Sequence, residues 1–505
     1  MKTNHIFLIL AAAALSAATA CSLDYDPIDT YSDVTEGVDD EGDEVVFKDA
    51  STVEAYVLEL NTRYTERQEH WYLDQLLIAE SHSDNAYAGT TGAEVVPFER
   101  NSIDGSNSVL ARDWERFLSD VAYANQLINH VAEVSELTTT EINNYRAQGL
   151  IFRAMVFFDM VRLWGDIPVV TTTAEDITAE NIEEVYDAYF PEQATEEEAY
   201  QQIEADLLEA LQIGAPETDF SDKSILCEGV AYALLAKIYA EKPIRDYDKV
   251  IEYCDKLTAL GYQLNDDFGA LFDLNEAGTD LNQRNTVESI YEGQFSTANG
   301  NWVAWMFGRD LADWDYAFTW AKWVTPSRDL ISLFEDEGDE IRYNQSVVWY
   351  SCSWSNYYQM DNYAFMYKCR SAYNSLIKIR YADILLLKAE ALICGDNMDL
   401  AAAAEIINQI RNRAGLKDLS SSKTASKDAL LQAYLDERRM ELCFEGQRWF
   451  DLVRLDKVEE VMNAVYDKDS GRLSQLYEFT EYSYRLPIPQ SEIDANDKLH
   501  QNPGY

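Results

Sequence analysis

Residues 145–165 read YRAQGLIFRAMVFFDMVRLWG, and the spacing of their apolar side chains decides between strand and helix. Leu150, Ala154, Phe157, Val161 and Trp164 follow one another at steps of four and three. That rhythm lays a single apolar stripe along a helix and does not fit the two-residue alternation of a strand. Gly165 and Pro168 end the pattern, one by freeing the backbone and the other by removing a donor. Immediately upstream, WERFLSDVAYANQLINHVAEV (114–134) has the same periodicity, so two long helices follow each other.

Helical stretches recur in pairs along the rest of the chain. EGVAYALLAKIYAEK (228–242) precedes YDKVIEYCDKLTALGYQL (247–264), and IRYADILLLKAEALICG (379–395) precedes DLAAAAEIINQIRNRAGL (399–416). Small residues stand where the partners of a pair would touch, and each break is a few residues long. The spacing predicts tetratricopeptide-like helical hairpins, although the period of about 34 residues typical of such repeats is not kept. An earlier helix begins near Ser51 and Thr52, the expected caps of VEAYVLELNTRYTERQ (53–68).

The chain has 505 residues, enough for one large helical assembly, and 47% hydrophobic residues, as a folded protein requires. Its 90 Asp and Glu against 40 Lys and Arg give a formal charge of −50. A surface of that sign repels phosphate, and no basic stripe offsets it, which excludes nucleic acid as a partner. Uncharged carbohydrate is the obvious neutral polymer that remains. At the N-terminus, Lys2 and the apolar run 6–15 form a signal peptide too short to span a bilayer. Ala18-Thr19-Ala20-Cys21 follows, resembling a bacterial lipobox with Cys21 as the lipidated residue. The expected organisation is a signal peptide over 1–20, a flexible acidic stalk over 21–50 and a single domain over 51–505. Six further cysteines leave too many pairings for a disulfide to be assigned, and single buried thiols on helices account for most of them. No zinc-ligand spacing, DxDxDG loop, HExxH, GxSxG or phosphate-cradling glycine motif occurs. No cofactor is expected, and a structural calcium on the acidic surface is the one metal left open.

Residues 265–375 interrupt the helical scaffold of 51–264 and 376–505. Within 302–373, 19 of 72 residues are Phe, Trp or Tyr, about 26% against 12% overall. WVAWMFGRDLADWDYAFTWAKW (302–323) carries five of the chain's 11 tryptophans. An insertion on a rigid scaffold is where function tends to sit.

Four long stretches are similar to the SusD/RagB family of outer-membrane lipoproteins: RAQGLIFRAMVFFDMVRLWGDIPVV (146–170), IRYADILLLKAEAL (379–392), LDERRMELCFEGQRWFDLVRL (435–455) and RLPIPQSEIDANDKLHQNPGY (485–505). WERFLSDVAYANQLINHV (114–131) and SDNAYAG (83–89) resemble one branch of it. The resemblance implies a mainly α fold: tetratricopeptide-like hairpins in a right-handed superhelical scaffold, with an irregular aromatic-rich insertion. It implies a lipid-anchored, non-catalytic glycan-binding protein at the cell surface, acting as a lid on a SusC-like TonB-dependent transporter. Other family members serve peptide uptake, so peptide capture is the alternative ligand class. A helical glycoside hydrolase and a ligand-free assembly adaptor are rivals from other classes.

Sugar rings lay their C–H faces on aromatic rings while their hydroxyls seek amides, carboxylates and guanidinium groups. Trp302, Trp305, Trp314, Tyr316, Trp320 and Trp323 are therefore the candidate platform. Trp314, Tyr316, Phe318 and Trp320 share one face if extended, whereas Trp302/Trp305 and Trp320/Trp323 align if helical, and the two readings of Trp320 stay open. Asp84, Asn85 and Tyr87, on a loop expected to form an exposed tip, make a second candidate site. Trp349, Trp354, Tyr357 and Tyr358 either extend the platform or pack as a buried strand. ERRMELCFEGQR (437–448) alternates charge at helical spacing. A hydrolase would need two carboxylates there, but Glu437, Glu441, Glu445, Arg439 and Arg448 are read as an ion-pair network pinning helices.

Overall fold

The computed structural model describes residues 46–505 except 90, 91, 174–185, 187, 188, 279, 297 and 308–322. Cys21 and residues 21–45 of the expected stalk thus lie outside the described residues, as do Trp314, Tyr316 and Trp320; Asp49 and Ala50, at the expected end of the stalk, belong to the first helix instead. Asp49–Tyr505 forms one compact unit.

Helices stack in chain order. Ser108–His130 packs on Thr139–Trp164, which packs on Glu196–Ile213, and the series continues through Glu228–Ala240, Tyr247–Leu260, Tyr381–Cys394, Leu400–Arg413 and Lys427–Leu442. Each helix buries its apolar side against the hairpin before and the hairpin after it, which is the packing logic of a tetratricopeptide-like array. Capping boxes at Thr138/Glu141 and Thr195/Glu198 satisfy the first backbone donors of two of these helices. The first helix, Ala50–Glu66, is capped by Asp49, which accepts from the backbone N–H of Thr52 at 2.9 Å. The expected caps Ser51 and Thr52 lie inside its first turn instead.

Thr139–Trp164 departs from the single stripe its spacing predicts: every residue from Ala147 to Trp164 is buried. Neighbouring helices cover it from two sides, and its polar residues are carried inward as ion pairs. Arg153 meets Asp206 at 2.6 Å, while Asp159 binds Lys378 at 2.7 Å and also pairs with Arg162. At its end Gly165 has φ +76°, a left-handed conformation, with the Arg485 stem 3.3 Å from where a Cβ would stand.

The charge-alternating stretch is an ion-pair network, as its spacing predicts. Glu437 meets Arg342 at 2.8 Å and Arg411 at 2.9 Å, and Glu445 meets Lys368 at 2.5 Å and Arg380 at 2.6 Å. Arg439 holds Asp329 at 2.7 Å, and Arg448 grips both oxygens of Asp84 at 2.8 and 2.9 Å. No disulfide links the six described cysteines, and all but Cys394 are buried. Only Cys254 and Cys394 lie within helices, fewer than expected.

Asp113, on Ser108–His130, is wholly buried, and its carboxyl is pushed well above the usual range by burial and then by the adjacent Asp74. The native state therefore binds a proton more tightly than the unfolded chain, so stability falls as pH rises above the ordinary carboxylate range. Asp113→Asn, which mimics the protonated form, raises stability at pH 7 by about 0.5–2 kcal/mol. The gain shrinks toward pH 4. Urea unfolding at both pH values checks this; equal effects at both would refute it.

The helix Tyr247–Leu260 packs directly on Tyr381–Cys394, so the chain between them is an excursion from a continuous scaffold. Its root is a pair of antiparallel strands, Ser289–Gly293 and Leu376–Arg380. Beyond them lie the short helices Val303–Met306, Arg328–Glu337 and Glu340–Ser346, and the antiparallel strands Val347–Tyr350 and Tyr363–Met366. The excursion is tied back to the scaffold where Thr325–Pro326 pairs antiparallel with Ala86–Tyr87.

Candidate functional site

An open cleft of about 450 Å³ lies on the excursion. Trp349, Tyr357 and Tyr358 supply its aromatic wall, and Arg328, Gln359 and Asn362 supply its polar groups, with Ser355 at the rim. A second, more enclosed cavity beside Trp71 and Phe272 holds about 80 Å³, room for two or three waters and too little for a sugar.

Local sequence accounts for the cleft. Val347–Tyr350 and Tyr363–Met366 pair residue for residue, Val347 with Met366 and Tyr350 with Tyr363. The connection between them is held by Cys352 N–H donating to Met360 at 2.8 Å. Tyr87, Cys352, Trp354, Tyr357, Tyr363 and Phe365 pack into one buried cluster beneath. Ser327 caps the helix Arg328–Glu337: its hydroxyl accepts from Leu330 N–H at 3.1 Å and donates to the Asp84 carbonyl at 2.6 Å. The cap sets Arg328 at the head of that helix, facing the cleft.

Each ring of the wall is held by a hydrogen bond to a residue outside the lining of the cleft. Trp349 donates its Nε1–H to Tyr343 at 2.7 Å and stands edge-on to Tyr358, 5.0 Å away at 84°. The Tyr358 hydroxyl donates to the Pro326 carbonyl at 2.7 Å, and the Tyr357 hydroxyl to Glu99 at 2.7 Å. Tyr87 stacks on Tyr357 at 4.2 Å and donates to Asp469. The Arg328 guanidinium lies 4.4 Å over the Tyr358 ring, donating to Tyr87 Oη at 3.2 Å and to the Tyr357 carbonyl. Burial pushes the hydroxyls of Tyr87, Tyr357 and Tyr358 far up, so all three stay neutral donors across physiological pH. Rings and donors fixed before a ligand arrives lose little freedom on binding.

The described residues among those expected to bind ligand do not line this cleft. Trp302 is 46% exposed, and its backbone N–H donates to Gln68 at 2.8 Å, but it does not line the cleft. The side chain of Trp305 is outside the described residues. Trp323 is half-buried, its ring 6.1 Å from Phe307, two residues before the strand Thr325–Pro326.

The expectation of an exposed tip at residues 84–87 is corrected. Asp84 is 2% exposed and ion-paired to Arg448 and Arg439, and Asn85 donates to Glu80 at 2.7 Å and accepts from Arg439 at 2.8 Å. Tyr87 sits behind the cleft wall rather than in it. The segment folds inward because two guanidinium groups from the far end of the chain pull the Asp84 carboxylate under the scaffold.

Sequence reading passed over Arg328, Ser355, Gln359 and Asn362. For Ser355, Gln359 and Asn362 the signal was present in SWSNYYQMDNY (353–363), where rings alternate with amides and hydroxyls; Arg328 lies outside it. Among the described residues no three His, Cys, Asp or Glu side chains converge as a metal site. Glu437 and Glu441 are fully buried among arginines, which takes them away from any scissile bond.

Stacked helical hairpins carrying an aromatic cleft on an inserted segment define a tetratricopeptide-like architecture. Two family models match the chain, one described as the SusD family over residues 366–505, the other as starch-binding associating with outer membrane over 37–240. Two SusD-type models thus match separate stretches of the chain, and the similarity extends to a SusD-like relative over most of its length. SusD-like protein P2 of Formosa agariphila is 28% identical over 472 residues, covering 85% of this chain and 87% of that protein. Surface glycan-binding protein A from Bacteroides fluxus superposes with a TM-score of 0.72 at 22% identity, over 90% of this chain and 99% of that one. Surface glycan-binding protein A from Bacteroides thetaiotaomicron, solved in complex with laminarihexaose, gives 0.70 at 19% identity, over 90% and 100%. No helix among the described residues is long and apolar enough to cross a membrane.

Proposed function

We propose that this chain captures oligo- or polysaccharide at the cell surface without cleaving it and passes it to a SusC-like TonB-dependent transporter. In this reading Cys21 carries the lipid anchor and residues 21–50 act as a tether holding the domain 51–505 at the outer face. The observation that carries the reading is the cleft itself: a half-buried tryptophan, locked through its ring nitrogen, beside amide and guanidinium donors. Trp349 takes the C–H face of a sugar ring; Gln359 and Asn362 take its hydroxyls. Trp314, Tyr316 and Trp320, on the segment leading into Trp323, are proposed to add further rings, with Trp302 and Trp305 at its other end. The laminarihexaose complex of a structural neighbour supports glycan as the ligand class over peptide.

Isothermal titration against a panel of plant, algal and host glycans tests this. Trp349→Ala lowers affinity for the glycan that binds by about 10- to 100-fold, as loss of a central aromatic contact does. The melting temperature changes little. Binding of peptides in place of any glycan, or release of reducing sugar from the bound polymer, would refute the reading.

A further inference from the structure

Arg328 differs from the structural arginines of this acidic chain. Arg380, Arg438 and Arg454 each hold carboxylates within 3 Å. The carboxylate paired with Arg328 is Asp469, at 3.9 Å, and it lies behind Tyr87, whose hydroxyl donates to it. None of the described residues lining the cleft bears a carboxylate. The Arg328 side chain is 42% exposed, whereas that of Asp469 is 1% exposed. In a chain with 90 Asp and Glu against 40 Lys and Arg, the described lining of the cleft thus presents a positive charge and no negative one.

The guanidinium is also held in orientation. Its face rests on Tyr358, one nitrogen is tied to Tyr87 and another to the Tyr357 carbonyl. A planar fork fixed in this way is matched to two oxygens of a carboxylate or sulfate and is poorly used on isolated hydroxyls. We infer that the cleft is selective for sugars bearing an oxyanion, a uronate carboxylate or a sulfate ester, which Arg328 receives while Trp349 takes the ring. The net charge of the chain does not oppose this at short range, because the Debye length at physiological ionic strength is about 8 Å. The inference rests on the glycan-binding reading above and narrows its ligand class.

Matched pairs of oligosaccharides test it on the unaltered protein: a uronate-bearing chain with its carboxyl-reduced counterpart, and a sulfated chain with its desulfated one. In at least one pair the acidic member binds about 10-fold or more tightly, by titration calorimetry. The pair that shows the difference tells carboxylate from sulfate. Arg328→Gln removes the difference, and Arg328→Lys keeps part of it, because charge survives without the fork. The pairs measured on the unaltered protein stand even if a variant folds poorly. Equal or tighter binding of the neutral members, or an acid preference that survives Arg328→Gln, overturns the inference and leaves glycan binding intact. No binding by any member, nor by a neutral β-glucan, overturns the glycan reading and this inference together.

Discussion

Glu441→Gln lowers the unfolding free energy by about 3–5 kcal/mol, the usual cost of removing one partner from a buried ion pair. Glu441 is fully buried, with Arg380 at 2.5 Å, Arg342 at 3.1 Å and Arg413 also bound. Those arginines come from three other parts of the chain, so the carboxylate joins the excursion to the last scaffold helices. Burial alone would raise its pKa, but Arg413, Arg380 and Arg342 outweigh burial and hold it far below the ordinary value of 4.5. With the folded value depressed, the stabilisation is complete above the ordinary value and is lost as pH falls through it toward the native one. The glutamine variant loses that component at every pH. The gap between variant and parent in guanidinium unfolding is therefore widest at pH 7 and narrows in acid. A gap below about 1 kcal/mol at pH 7 would show that Glu441 does not hold the network.

Asp84→Asn has a comparable cost, about 3–5 kcal/mol, with glycan affinity of the folded protein unchanged. Both carboxylate oxygens serve Arg448, and Arg439 lies 3.3 Å away. Asparagine keeps the shape but leaves two buried guanidinium groups short of a charge. A ligand-binding Asp84 would give the opposite pattern, lost affinity at full stability. Chemical unfolding and titration on the same sample separate the two outcomes.

The same residue shows why the candidate site was only partly legible. Asp84 and Arg448 are 364 positions apart, and nothing local in SHSDNAYAG signals that its polar groups turn inward. Local composition cannot tell a hydrogen-bonding tip from a buried clamp, since both need short polar side chains in a turn. Aromatic residues pose a similar problem. Trp349 and Trp354 lie five residues apart in one ring-rich stretch, yet the first borders the cleft and the second is 5% exposed within the cluster beneath it. Burial depended on the strand pairing of 347–350 with 363–366 and on the approach of Tyr87 from the scaffold.

By itself the sequence determined the helical hairpins, the position of the excursion and the role of the charge-alternating stretch. The hairpins repeat within a few turns of helix, where side-chain spacing dominates; the stretch 437–448 shows its paired charges locally but not its partners, which lie as far away as Asp84. Only the folded chain assigned the cleft to Arg328, Trp349, Gln359 and Asn362 and drew Asp84, Asn85 and Tyr87 behind it. Which ring meets water, and which carboxylate meets a guanidinium, is set by contacts between segments hundreds of residues apart, and such contacts leave no local period to read.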